Sequence, residues 1–344
     1  MSGSNVQLRT DVFTGRQVLV AEDRANRPNQ RRREQMTYRP EDDPFLAGHE
    51  HDTPRERLAL RTEGSNVDDA NWLVRAIPNR YPAVASESDH DNSAGGVHDV
   101  VVECPDSRCL LTELSVVEFA RVLRAWQIRF SALSKNPKVK CVTIFRNEGT
   151  AAGASIAHCH SQIIATEFLT SQVQRRVKRV QKAAARGHDL YNDWLNSELS
   201  PRTRVVDLSE GLVTVCPFAG RVSWQTRFCP FESGDHDFRE LNENQLLRLS
   251  ARVLGIAAAL TELLGGVQHN LLLTLPPTNE PTLFPWMLDL MPRTGSIAGF
   301  ELQADMDIVT VSPESAAERL RNSVEFQDAT AAEQICPPGY SWVG

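Results

Sequence analysis

What most constrains the fold of this 344-residue chain is a pattern that occurs twice. Residues 112–135 (TELSVVEFARVLRAWQIRFSALSK) and 242–266 (NENQLLRLSARVLGIAAALTELLGG) have the spacing of long amphipathic helices, and short apolar runs of strand character flank each. In the first, Leu114, Val117, Ala120, Val122, Leu123, Trp126 and Phe130 fall near one face, with Ser115 placed to cap it. The second ends at a glycine pair, a normal helix stop. Strands are expected as a pair within 7–22 about Thr14-Gly15, over 71–84 up to a Pro-Asn turn, at 96–105, at 140–147, and through GASIAHCHSQIIA at 153–165. A helical stretch at 171–199, basic at first, follows. GLVTVCPFAGRVSWQTRF, NLLLTLPP and FPWMLDLMPR then return to strands, and Ser312-Pro313-Glu314 opens a last helix. Strands, a long helix, strands and a further helix in each half predict an α+β fold of two related units with mainly antiparallel sheets. The expected units are 1–200 and 201–334, with an irregular tail at 335–344.

At 41% hydrophobic and 24% charged residues, the chain can bury a core without covalent staples. Its net charge of −7 argues against a nucleic-acid partner, whose binding domains run basic. The seven cysteines include no Cys-x-x-Cys pair and suggest no disulfide framework. The N-terminal residues lack the apolar core of a signal peptide, and no window has the roughly 18 apolar residues of a membrane span. These features lead to the expectation of a cytoplasmic protein with no membrane partner.

The polar chemistry concentrates between residues 147 and 162. On a strand, His158, His160 and Gln162 point to one face, and Cys159, Ser161 and Ile163 to the other. Three polar groups on one face need partners or a ligand, because burial without them is costly. Structural pairing and half a metal site are both open readings of such a His-x-His. The upstream stretch NEGTAAGAS adds small residues that allow close backbone approach, so its N–H groups can cradle phosphate oxygens and Ser155 can add a hydroxyl. A histidine beside such a cradle can attack phosphorus and split one displacement into two. Gln162 can donate to a non-bridging oxygen as charge develops, yet it has no proton to hand to a leaving group. That favours a leaving group already stable as an anion, such as a sugar phosphate.

FRNEGTAAGASIAHCHSQ (145–162) resembles the signature of the galactose-1-phosphate uridylyltransferase family, the transferase branch of the histidine-triad superfamily: Asn-x-Gly, then Gly-x-Ser, then His-x-His-x-Gln. LRTDVFTGRQVLVAEDRANRP (8–28), RAIPNRYPAV (75–84), HDVVVECPD with LTELS (98–115) and AGFELQADMDIVTVSPESAAERLR (298–321) are similar to further family segments in the same order. The resemblance implies two histidine-triad-like halves in one subunit, paired as a homodimer. It implies that His160 is the nucleophile carrying the nucleotidyl group, that Gln162 supports the phosphorus centre, and that the main-chain carbonyl of His158 orients the His160 ring. Asn147, Gly153 and Ser155 would hold phosphates, Arg24 and Arg27 would supply positive charge, Asn79 would meet the nucleoside, and Glu301 would grip sugar hydroxyls.

The chain also departs from the family pattern. Many members hold zinc through a Cys-x-x-Cys pair, a later histidine and the first histidine of His-x-His; those positions fall here on Asp43, Leu46, Ser107 and His158. Because a zinc site needs about four N, S or O ligands, no metal cofactor is expected, packing and hydrogen bonds taking its place. Where many members carry a second His-x-His, this chain has Pro285, Trp286, Met287 and Asp289, of which Trp286 and Met287 are expected as core or pocket wall. The implied reaction is ping-pong: His160 takes the uridylyl group from a UDP-sugar such as UDP-glucose, and a hexose 1-phosphate such as galactose 1-phosphate then accepts it, which would place the chain in galactose metabolism. The alternatives are an ADP-sugar phosphorylase that moves AMP to phosphate, a nucleotide hydrolase, and an inactive nucleotide-binding relative.

Overall fold

The computed structural model describes residues 6–26, 39–62, 64–85, 94–209, 211–231 and 236–332. The N-terminal hairpin pairs β1 (Val6–Thr10) with β2 (Gln17–Ala21) about the turn expected at Thr14-Gly15. The first half continues with β3 (Leu58–Arg61), β4 (Trp72–Pro78), β5 (Gly96–Val102), helix α1 (Val116–Ser134), β6 (Cys141–Glu148) and β7 (His160–Thr166). Two covering helices follow, α2 (Ser171–Ala184) and α3 (Leu190–Leu199). The second half runs β8 (Val205–Ser209), β9 (Leu212–Val215), β10 (Thr226–Pro230), α4 (Glu243–Leu264), β11 (His269–Thr274) and β12 (Met287–Pro292). It closes with α5 (Gly299–Ala304), β13 (Asp307–Val309), α6 (Pro313–Arg321) and α7 (Val324–Ala332).

Ten strands form one sheet in the order β3-β4-β5-β7-β6-β11-β12-β10-β9-β8. Each half contributes five strands in the spatial order first-second-third-fifth-fourth, with a long helix between its third and fourth. The halves therefore share one topology and meet through their fourth strands, β6 and β11, which pair antiparallel with Asn147 opposite Asn270. All neighbours within this sheet are antiparallel, and the fold is α+β with two histidine-triad-like halves.

Helices α1 and α4 cover one face of the sheet. Ser115 caps α1 as expected, its hydroxyl accepting from Glu118 N–H while the Glu118 carboxylate accepts from Ser115 N–H. Phe119, Leu123, Trp126 and Phe130 join Leu249, Val253, Ile256 and Leu260 in one continuous core beneath both halves. Trp286 lies in that core, and Met287 joins a second cluster with Phe13, Tyr191 and Trp194. The N-terminal hairpin reaches across the molecule: β2 pairs in parallel with β13, and Phe13 packs under α3. Among the described residues no helix is long and apolar enough to cross a membrane.

Candidate functional site

The strand expected over 153–165 forms only from His160 onward. The preceding residues turn instead. Gly149 (φ 80°, ψ 165°) lies in a region essentially restricted to glycine, and Gly153 (φ 90°, ψ 15°) is left-handed. A Cβ on Gly149 would sit 2.3 Å from Gln268 Cδ, so the turn lies against the second half, whose Gln268 Oε1 accepts from Ala151 N–H.

From His160 the strand alternates. Ser161 faces α1, where Trp126 Nε1–H donates to its hydroxyl at 2.8 Å, and Ile163 enters the core there. His160 and Gln162 face the other way. Their cross-strand partners are Val102 and Val100 on β5 and, for Gln162, Phe145 on β6. The pairing of Arg146 with Ser161 puts Asn147 beside His160.

His160 is 5% exposed. Its Nδ1–H donates to the His158 carbonyl at 2.8 Å, which leaves the Nε2 lone pair as the reactive end of the ring. Burial pushes the imidazole below its usual range, against the opposing pull of the His158 carbonyl and Glu103, and nearby Arg146 adds to the lowering. The ring is therefore neutral, and so nucleophilic, at neutral pH. Phe45 packs against both histidines, its ring centroid 5.4 Å from His160 and 6.1 Å from His158.

His158 is buried, with Nδ1 2.7 Å from Asp43 Oδ2 and Nε2 2.8 Å from the Cys104 carbonyl. Asp43 also accepts from Phe45 N–H through Oδ1 at 2.9 Å, and its carbonyl faces His49 Nδ1 at 2.7 Å. Behind the strand, buried Arg146 donates to Glu103 at 2.8 Å, to Glu148 at 2.7 Å and to Cys159 Sγ at 3.2 Å. This network fixes the backbone from which His160 projects.

Gln162 Oε1 lies 2.9 Å from His98 Nε2, and Asn79 Nδ2 lies 3.1 Å from the same nitrogen. Asn147 Oδ1 accepts from Asn270 Nδ2–H at 2.7 Å. Asn79 N–H donates to the His98 carbonyl at 2.8 Å, and hydrogen bonds and register thus join His158, His160, Gln162, Asn147 and Asn79 around one sheet face, with Gly153 in the turn above Asn147. Ser155 is exposed in that same turn. Arg24 is exposed on the 3-10 turn Glu22–Asn26 after β2, a turn tied to the second half where Glu22 accepts from Ser312 N–H. Arg27 lies outside the described residues. Glu301 stands on α5 and accepts from Ala298 N–H at 3.2 Å, a local helix cap.

A model of the galactose-1-phosphate uridyl transferase N-terminal domain matches residues 3–170, and a model of a domain of unknown function, DUF4921, matches residues 114–336. The galactose-1-phosphate uridylyltransferase of Haemophilus influenzae is 30% identical over 154 residues, 43% of each chain. The chain belongs to the galactose-1-phosphate uridylyltransferase family. Within this family, the ADP-glucose phosphorylase of Arabidopsis thaliana is 25% identical over 336 residues, 92% of each chain. The crystal structure of an Arabidopsis thaliana ADP-glucose phosphorylase with bound ADP-glucose superposes with a TM-score of 0.79 at 24% identity, covering 92% of this chain and 99% of that one. A solved uridylyltransferase gives 0.69 at 21%, covering 93% and 98%. Both share the fold.

The residues at the family's zinc positions do not fit a zinc ion. Both His158 nitrogens already lie within hydrogen-bond distance of protein oxygens, Asp43 Oδ2 and the Cys104 carbonyl, and Leu46 has no donor atom. Ser107 is exposed. Asp43, standing where the family has a cysteine, binds His158 directly.

His98 and Asn270 escape a reading of the sequence. His98 alternates with Val100 and Val102 on the face shared with Gln162, which is a signal, but only the strand register brings them together. Asn270 follows an unremarkable histidine at the start of β11, and its role depends on how the two halves join.

Proposed function

We propose that this chain is an ADP-sugar phosphorylase that transfers AMP to phosphate through a nucleotidyl-His160 intermediate. His160 Nε2 attacks the α-phosphorus, a P–N bond forms, and the bond to the bridging oxygen breaks, so sugar 1-phosphate leaves with the electron pair. An oxygen of inorganic phosphate then attacks the same phosphorus, the P–N bond breaks, and ADP leaves. No step needs a protonated leaving group, which suits glutamine at position 162. The side-chain N–H groups of Gln162 and Asn147 would stabilise charge on the non-bridging oxygens.

The observation that carries the reading is the His160 ring, neutral and held by Nδ1–H on the His158 carbonyl with Nε2 left reactive. The adenylyl donor is preferred to the uridylyl donor on coverage: similarity to the ADP-glucose phosphorylase runs through 92% of both chains, whereas the Haemophilus influenzae uridylyltransferase matches over 43%. The test is to incubate the protein separately with ADP-glucose and UDP-glucose, each labelled in the nucleotide, then denature it and count acid-labile, base-stable label. The expected result is label from ADP-glucose, discharged by phosphate to give ADP. Label from UDP-glucose alone, discharged by hexose 1-phosphate, would replace the adenylyl reading with the uridylyl one, and discharge to water alone would mark a hydrolase.

A further inference from the structure

We propose that His98 and Asn270 are positioning residues that fix which end of the Gln162 and Asn147 amides faces a phosphate held at His160. The inference rests on the reading of His160 as the nucleotidyl acceptor. An amide side chain has a donor end and an acceptor end of almost equal shape, and only the NH2 end can bind a phosphate oxygen. The surroundings must choose between them.

For Gln162 the choice is made by a backbone group that cannot reverse. Ala83 N–H donates to His98 Nδ1 at 3.0 Å, so Nδ1 carries no hydrogen and the ring's hydrogen resides on Nε2. That Nε2–H meets Gln162 Oε1 at 2.9 Å. The oxygen is thereby occupied, and the Gln162 NH2 is left for the open face. The neighbouring Asn79 presents its own NH2 here, because its Oδ1 accepts from Tyr81 N–H at 2.8 Å, so at 3.1 Å its Nδ2 stands beside His98 Nε2–H as a second donor and makes no hydrogen bond to it. Asn79 therefore cannot take the His98 hydrogen in place of Gln162.

For Asn147 the choice comes from the second half. Asn270 is fixed at both ends: its Oδ1 accepts from Arg293 Nε–H at 2.6 Å, and its NH2 donates to the Ala152 carbonyl at 2.8 Å. The same NH2 donates to Asn147 Oδ1 at 2.7 Å. Asn147 Nδ2 is then turned toward the glycine turn, 3.8 Å from where a Cβ on Gly153 would lie. Asn147 and Asn270 face each other across the junction of the halves, so the second half completes a site whose nucleophile belongs to the first.

Two measurements on the full chain test this. Long-range 1H–15N spectra of the histidine rings should show His98 as the neutral Nε2–H tautomer at neutral pH; the Nδ1–H tautomer or a doubly protonated ring would overturn the assignment. The rate of nucleotidyl label uptake from ADP-glucose should fall about 10- to 100-fold in His98→Phe, which keeps a ring but removes the donor. In a Gln162→Ala background the same change should cost less than about twofold, because the amide it orients is gone. Asn270→Asp, which offers Asn147 only acceptors, should behave the same way against Asn147→Ala. Equal losses in both backgrounds would show that these residues act only on stability and would refute the proposal. Should the wild-type chain take up no label from either sugar nucleotide, the reading of His160 fails, while the tautomer measurement still decides the amide polarity.

Discussion

Replacing Asp43 with alanine tests how the site is held in place of the family's metal. The carboxylate makes two buried contacts, to His158 Nδ1 at 2.7 Å and to Phe45 N–H at 2.9 Å, and both His158 and Asp43 are almost fully excluded from water. Removing the carboxylate leaves two buried N–H groups, on His158 and Phe45, without their acceptor at about 1–3 kcal/mol each, about 3–5 kcal/mol together. With an unfolding entropy of about 2.1 cal/mol/K per residue over this chain, that is a fall in Tm of about 4–7 °C. Asp43→Asn keeps the shape and one acceptor oxygen, so its cost should be smaller, about 1–2 kcal/mol. Because the pair is buried, salt should leave both effects nearly unchanged. Thermal and urea unfolding, followed by circular dichroism, read these differences. An Asp43→Ala chain within about 1 kcal/mol of wild type, or an asparagine variant as damaged as the alanine one, would refute the reasoning.

The remaining predictions concern the nucleophile and its turn. Nucleotidyl label uptake should hold steady as pH falls through the ordinary histidine range and decline only below it, because burial lowers the His160 pKa; a midpoint at or above about 6.5 in a stopped-assay pH series would contradict this. His269 is lowered by the same burial, so stability should be complete above that range and fall as pH drops through it, since the unfolded chain then binds more protons than the folded one. Gly149→Ala should destabilise by about 2–3 kcal/mol, through a backbone region closed to alanine and a clash with Gln268, while Gly153→Ala, left-handed with its nearest neighbour, Asn147 Nδ2, at an ordinary 3.8 Å, should cost about 1–2 kcal/mol. Equal unfolding midpoints for these two variants would count against that distinction.

The parts of the fold legible in the sequence were those specified by neighbours along the chain. Helices α1 and α4 have long apolar faces and local end signals, Ser115 at one start and Gly265 in the left-handed region at the other's end. The alternation that separates His160 and Gln162 from Ser161 is likewise a property of a single strand. The short edge strands β3 and β8 have too few residues for a period to stand out. The pairing of β2 with β13 joins residues nearly the whole chain apart, and no local pattern encodes it. Within 153–165 an apolar run concealed a turn, because the decisive backbone angles belong to Gly149 and Gly153 rather than to the residues that suggest a strand. The same division holds at the site. Motif residues are local, whereas Asp43 against His158, His98 against Gln162 and Asn270 against Asn147 are bonds between distant segments that only the folded register specifies.

The central claim is a covalent bond between His160 Nε2 and phosphorus. It is tested most directly by mass spectrometry of the protein quenched at high pH after exposure to ADP-glucose, with peptide mapping of the modified residue. Wild-type protein should gain one AMP residue, mapped to His160, and lose it on adding phosphate, while His160→Gly should gain nothing and unfold as the wild type does. An AMP adduct that persists in His160→Gly, or turnover of ADP-glucose by that variant at the wild-type rate, would contradict the account.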